Sequence, residues 1–166
     1  MVGSLRLTPE VAKDVQSLLD ERQEEPLAHV LWREGWDQRL ANRRSALLLG
    51  VTALEVGVKQ FISSRVPPAD WLLEEAPPPP IARMLVEYLP TLSPENGDTL
   101  RVPSLDIVQT VKRGVDLRNK LAHTGKSTYS YETLEEILLA VRDVLWLLDS
   151  NRGMIWAGSH IRGEAK

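Results

Sequence analysis

The stretch VDLRNKLAHTGK, residues 115–126, contains the residue types of this chain that are best suited to chemistry. Arg118 and His123 lie five positions apart, and Asn119 directly follows the arginine. A guanidinium can hold an anion through paired N–H donors, and an imidazole can gain or lose a proton near neutral pH. These three residues therefore form a candidate site, with an anion-binding arginine, a proton-transferring histidine and an amide that supports them.

The position of Arg118 on its predicted helix strengthens this interpretation. At about 100° per residue, the apolar side chains between residues 107 and 122 form one broad arc, and Arg118 falls in the middle of it. A guanidinium does not give up its charge, so it is rarely buried without a partner. We therefore expect an anion or several acceptors to face Arg118.

Both residues also have a structural interpretation. Arg118 could pair with a buried carboxylate such as Glu55, and this ion pair could serve stability alone. His123 could interact with the negative end of its helix, which Gly125 is placed to cap. The spacing of Arg118 and His123 alone does not decide between these roles.

The segment around the candidate site is basic, although the chain is acidic. The chain has 20 basic and 23 acidic residues, a formal net charge of −3, so it lacks the overall positive charge typical of nucleic-acid-binding proteins. A nucleic-acid contact would have to come from a local patch, or from two patches pooled in a dimer. The local cations form either such a patch or a solvated face: Lys112, Arg113, Lys120 and Lys126.

The segment RNKLAH resembles the signature of the HEPN superfamily, in which an arginine and a polar residue precede a histidine after four to six intervening residues. The stretch RRSALLLGVTALEVGVKQFI resembles the earlier core helix of that family, including its glutamate, here Glu55. The resemblance covers residues 27–150. It implies an all-α fold and a metal-independent endoribonuclease, often found in antiviral defence or toxin–antitoxin systems, whose active site forms where two motifs meet in a homodimer.

On this resemblance, Arg118 would clamp the scissile phosphate, His123 would act as general acid or base, and Asn119 would support them. Glu55 would orient Arg118 or be structural, and the four local cations would bind RNA. No cofactor or metal is expected, because the chain has no cysteine and its three histidines are scattered. The expected partners are a second copy of the chain, RNA and a cognate antitoxin or inhibitor protein.

Two other functions remain open. The first is a non-catalytic HEPN module that dimerises or binds a nucleotide or a protein partner. The second is an unrelated helical-bundle interaction protein, in which Arg118 only pairs with Glu55.

The elements that must position these residues are predicted to form a single domain over residues 1–166, an antiparallel all-α bundle of about five helices. We expect an N-terminal helix at 9–24, a second helix at 26–65 with a break near Gly35, and a short helix at 81–89. The motif helix spans 105–123, a last helix spans 131–150, and a tail, 151–166, packs Trp156 back onto the body. Gly50, Ala53 and Gly57 form a strip of small residues that would let another helix approach closely.

The sequence also predicts a soluble, cytoplasmic protein. The first ten residues lack the apolar core of a signal peptide. The most apolar stretch, residues 46–58, contains Glu55 and ends before Lys59, so we expect it to be too short and too interrupted to span a membrane.

Overall fold

The computed structural model describes residues 9, 12–13, 16–17, 24–69, 75, 80–92 and 100–162. Within these ranges the chain forms helices and turns and no strand, which confirms the predicted all-α class. The α-helices are α1 Leu27–Gln38, α2 Arg43–Arg65, α3 Ile81–Arg83, α4 Leu105–Thr124, α5 Tyr131–Asn151 and α6 Ile155–Gly158. Of the predicted N-terminal helix, the five described positions are helical and the rest lies outside the described residues.

Short irregular helices complete the described structure. A 3₁₀ turn, Pro67–Ala69, follows α2. The π-helical turn Met84–Tyr88 and the 3₁₀ turn Leu89–Thr91 continue α3 without a gap, so the predicted short helix is present but is not a regular α-helix.

Small residues bring α2 and α5 together at the centre of the bundle. A Cβ added to Gly50 would collide with Leu138, and one added to Gly57 would collide with Leu145. Both contacts advance along the two helices in the same direction, so α2 and α5 run parallel. The close helix approach predicted from the small-residue strip is therefore present.

The other long helices run antiparallel to this central pair. A loop of six residues, 125–130, joins α4 to α5, and the two helices pack on each other where Gly114 meets Ile137, so they run antiparallel. In the same sense, α1 packs antiparallel on α2, with its Gly35 held against Ala46 and Gly50. As a result, the carboxyl end of α4 and the amino ends of α2 and α5 lie at one end of the bundle.

The most enclosed helix is α5. The other helices cover α5 on most sides, because it contacts α1, α2, α4 and α6. Its buried residues are Thr133, Leu134, Ile137, Leu138, Ala140, Val141, Asp143, Val144, Leu145, Leu147, Leu148 and Asp149. The buried charge of Asp143 was not predicted.

The sequence suggested a helix break near Gly35, but the break between α1 and α2 lies elsewhere. Gly35 is buried inside α1, where a Cβ would lie 3.2 Å from the backbone of α2, so this glycine serves close packing. The chain instead leaves α1 after Gln38 and restarts at Asn42, whose Oδ1 accepts a hydrogen bond from the Ser45 amide at 3.1 Å. The N-cap, and not the glycine, marks the boundary.

The bounds of the motif helix agree with the prediction. The Ser104 side chain caps the start of α4 by accepting from the Ile107 amide. Gly125 ends the helix in the left-handed conformation, with φ 64°, and its amide donates to the Leu121 carbonyl at 2.9 Å. This cap fixes the position of the turn that carries His123.

The C-terminal tail packs on the body of the bundle. Trp156 is half-buried, and Ala157 and Ile161 are buried. The indole of Trp156 makes an edge contact with the ring of His160, whose other neighbour is Trp146 of α5. The predicted return of Trp156 is therefore present.

By length and composition, α2 is long and apolar enough to cross a membrane. The helix has 23 residues and an 18-residue window of mean hydropathy 1.4, so the expectation that this stretch is too short was wrong. The helix extends beyond the apolar segment at both ends. Since 56% of that window is buried inside the bundle, α2 has the character of a core helix.

Candidate functional site

Arg118 lies at the seam between α4 and α2, and its partner there is Glu55. Its Nη2 donates to Oε1 of Glu55 in a close ion pair across 63 positions of sequence. The two side chains are 16% and 15% exposed. The anionic partner that the apolar arc required is therefore a carboxylate on the neighbouring helix, and water still reaches both side chains.

The hydrogen bonding of Arg118 is incomplete. A guanidinium carries five N–H donors, and the structure shows one of them bonded, to Glu55. Its Nε is buried and has no hydrogen-bond partner in the described part of the chain. Burial lowers the pKa of Arg118, which remains a cation at any physiological pH. The side chain thus keeps donors for a second anion.

His123 lies in the last turn of α4 and is exposed. Its imidazole makes no hydrogen bond with any side chain that the structure describes. Helix geometry separates it from Arg118 by about 7.5 Å along the axis and about 140° around it. The two side chains of one motif consequently do not point at the same spot.

Asn119 falls between these directions, about 100° around the helix from Arg118. It is half-buried, and its amide makes no hydrogen bond in the described ranges. An amide in this position can contact a group bound over Arg118 or a group bound near His123.

The four predicted RNA-binding cations are all exposed, but they differ in their contacts. Lys112 pairs with Asp116 at 2.7 Å, and Arg113 donates to the hydroxyl of Thr133 at 3.3 Å. Lys120 and Lys126 make no ion pair with the residues described. The latter two are therefore the freer cations, and they flank His123.

The side chains around Arg118 differ in their exposure. Leu121 is buried in the core of its own chain, and the half-buried Leu117 packs against that core. Exposed side chains on neighbouring turns come from Ala122, one turn after Arg118, and from Leu48 and Thr52 of α2.

Arg43 and Arg44 begin α2 and were not predicted as site residues. The hydroxyl of Tyr129 donates to the Arg43 carbonyl at 2.9 Å, which ties the loop after His123 to the first turn of α2. Two exposed arginines at a helix start were the signal that could have identified them, because carboxylates are favoured at such positions.

No three His, Asp or Glu side chains of the described ranges cluster as metal ligands would. Comparison of the chain with protein-family models, with curated proteins and with solved structures found no match. The likeness to the HEPN superfamily thus rests on the motif and the core-helix segment themselves.

Proposed function

We propose that this chain is a metal-independent endoribonuclease of the HEPN type that acts as a homodimer in the cytoplasm. The observation that carries the proposal is Arg118, a partly exposed guanidinium at a helix seam with donors that the described residues leave unused, on the same helix as the exposed His123. A guanidinium that pairs with one carboxylate and is still reached by water can also bind a phosphate. An exposed histidine at the adjacent helix end can exchange protons with solvent and substrate.

RNA supplies its own nucleophile to such a site. His123 takes the proton of the ribose 2′-OH, and the 2′ oxygen attacks the adjacent phosphorus. Arg118 holds the phosphate and stabilises the negative charge that builds on its oxygens. The bond to the 5′ oxygen breaks, and His123, now protonated, returns the proton to that oxygen. The products are a 2′,3′-cyclic phosphate and a 5′-OH.

The dimer brings the two roles together. Within one chain, Arg118 and His123 point about 140° apart, but two copies packed across the α2–α4 seam can place His123 of one over Arg118 of the other. A two-fold axis would then create two equal composite sites. Leu48, which is 40% exposed, Thr52 and Ala122 provide the surface for this contact.

The proposed biological setting is antiviral defence or a toxin–antitoxin system, in which a cognate antitoxin or inhibitor protein would cover the site. This part of the proposal rests on the resemblance of RNKLAH to the HEPN motif.

The direct test is cleavage of mixed cellular RNA in EDTA, followed by analysis of the ends. We expect cyclic phosphate and 5′-OH ends, with no cleavage of DNA or 2′-deoxy-substituted RNA. His123→Ala should reduce the rate at least ~10²-fold and leave the dimer intact. His160→Ala is the matched control, because that histidine is also exposed and should leave cleavage unchanged.

Arg118→Lys should also fail to cleave, because lysine lacks the bidentate fork. Intact RNA under all conditions, or cleavage unchanged in His123→Ala, would overturn the nuclease proposal. A monomer in light scattering at micromolar concentration would overturn the composite site.

A second candidate is the non-catalytic HEPN module. It is favoured by the ion pair itself, since Arg118 already has a carboxylate partner. A stable dimer that leaves RNA intact under all conditions would support this function.

A further inference from the structure

Two arginines occupy the first two positions of α2. Arg43 and Arg44 are exposed, and neither makes an ion pair or a side-chain hydrogen bond within the described ranges. Arg39, four residues earlier, shows the contrast: it stacks on Trp36 with 4.0 Å between the guanidinium carbon and the ring centroid, and it donates to the Trp36 carbonyl.

Their position is unfavourable for the helix. The amino end of a helix carries partial positive charge, so carboxylates stabilise the first turn and cations destabilise it. The first turn of α2 contains no acidic residue. The nearby carboxylate is Glu132 of α5, whose pKa is lowered first by hydrogen bonds from its own backbone and from Ser130, and last by the charge of Arg43. Helix stability therefore does not explain the two arginines.

The two arginines lie at the same end of the bundle as the candidate site. Arg118 meets Glu55 in antiparallel helices, so the chain direction from Arg118 to His123 runs toward the start of α2. The Tyr129 hydroxyl bonds the Arg43 carbonyl, and both arginine charges act on the Tyr129 phenol, whose pKa is raised by burial against their opposing effect. Residues 125–130 hence connect the motif directly to this pair.

We infer that Arg43 and Arg44 bind phosphates that flank the scissile phosphate on the same RNA strand. This inference rests on the proposed function and deepens it, because it assigns the contacts of the flanking strand. With Lys120 and Lys126, the pair extends a positive surface from His123 onto α2. Single-stranded RNA fits this surface, because its phosphates repeat along a flexible chain that can follow the helix ends.

The test measures binding and cleavage separately. Affinity for a single-stranded, 2′-O-methyl RNA oligonucleotide, which lacks the nucleophile, is measured by fluorescence anisotropy at several KCl concentrations. Arg43→Gln/Arg44→Gln should weaken binding at least ~10-fold at low salt. It should also reduce the slope of log affinity against log salt by about 0.7 for each lost contact. On cleavable RNA, KM should rise and kcat should stay unchanged.

Arg33→Gln/Arg83→Gln is the matched control. It makes the same change in net charge at two exposed arginines, one on α1 and one on α3, which pair with Glu25 and Glu87. Its affinity and salt slope should equal those of the wild type. Because the substitutions at Arg43 and Arg44 relieve the first turn of α2, the melting temperature of that variant should not fall.

The outcomes separate this inference from the proposed function. If the wild type binds and cleaves RNA but Arg43→Gln/Arg44→Gln has the same affinity and salt slope as its control Arg33→Gln/Arg83→Gln, the inference is wrong and the nuclease stands. If the wild type binds the oligonucleotide and cleaves nothing, and Arg43→Gln/Arg44→Gln lowers the affinity and the salt slope as expected, the binding surface stands and the nuclease is wrong. If the wild type binds no RNA, both are wrong.

Discussion

The ion pairs at Asp143 and at Glu55 both join a carboxylate to arginine, but water reaches the two carboxylates very differently. The Asp143 carboxylate is fully enclosed, and both oxygens accept hydrogen bonds, from Arg142 at 3.1 Å and from Arg162 at 2.5 Å. The Glu55–Arg118 pair is about 15% exposed on each side.

This difference indicates a difference in role. A carboxylate with both oxygens bonded and no access to water can bind nothing more, so Asp143 holds the C-terminal tail to α5 through Arg162. A pair whose carboxylate and guanidinium are both reached by water can exchange part of its bonding for a ligand. Enclosure therefore separates the structural ion pair from the candidate functional one.

The largest expected effect comes from removing both arginines of the enclosed pair. Arg142→Gln/Arg162→Gln leaves the Asp143 carboxylate buried without a counter-charge, which should cost about 3–5 kcal/mol of unfolding free energy. Urea denaturation measures the loss. At urea concentrations well below its unfolding midpoint, the folded variant should still cleave RNA. A loss under about 1 kcal/mol would contradict a structural role for Asp143.

An intermediate effect is expected at the half-open pair. Glu55→Gln leaves Arg118 without its charge partner but with some access to water, so unfolding free energy should fall by about 1–3 kcal/mol. Cleavage should fall as well, because Arg118 loses its anchor. Thermal melts and cleavage assays measure both, with the exposed Glu136→Gln as control. If neither property changes, Glu55 has no part in the site.

The smallest effect is expected at a pair open to water. Lys112 and Asp116 on α4 are 63% and 61% exposed, so Asp116→Asn should change unfolding free energy by no more than about 0.5 kcal/mol. Urea denaturation at the same pH provides the value. A change above 1 kcal/mol would show that enclosure does not rank these three pairs.

The sequence predicted the motif helix well because its signals are local. Ser104 and Gly125 cap α4 through neighbours at most four residues away, and such bonds can be inferred from residue types. The apolar arc also identified Arg118 as a cation that needed a partner, and Glu55 was named as a candidate. The sequence alone left the site incomplete, because the apolar arc of α4 does not show which part of it a neighbouring helix covers.

The helix break predicted near Gly35 was misplaced because the role of this residue is tertiary. Gly35 looked like a helix breaker, but it is the contact at which α1 approaches α2. The neighbouring helix decides the role of the residue, and helix order alone does not give the rotation of one helix against another.

By itself, the sequence determined the all-α class, the helices from Leu105 to Asn151 with their caps, and the position of Arg118 among apolar residues. Those features depend on helical periodicity and on bonds between near neighbours. Tertiary structure decided the pairing of Arg118 with Glu55 and of Asp143 with Arg162, 63 and 19 positions apart. It also decided how much water reaches each pair. Exposure depends on how helices distant in sequence pack over a side chain, and no local pattern encodes it.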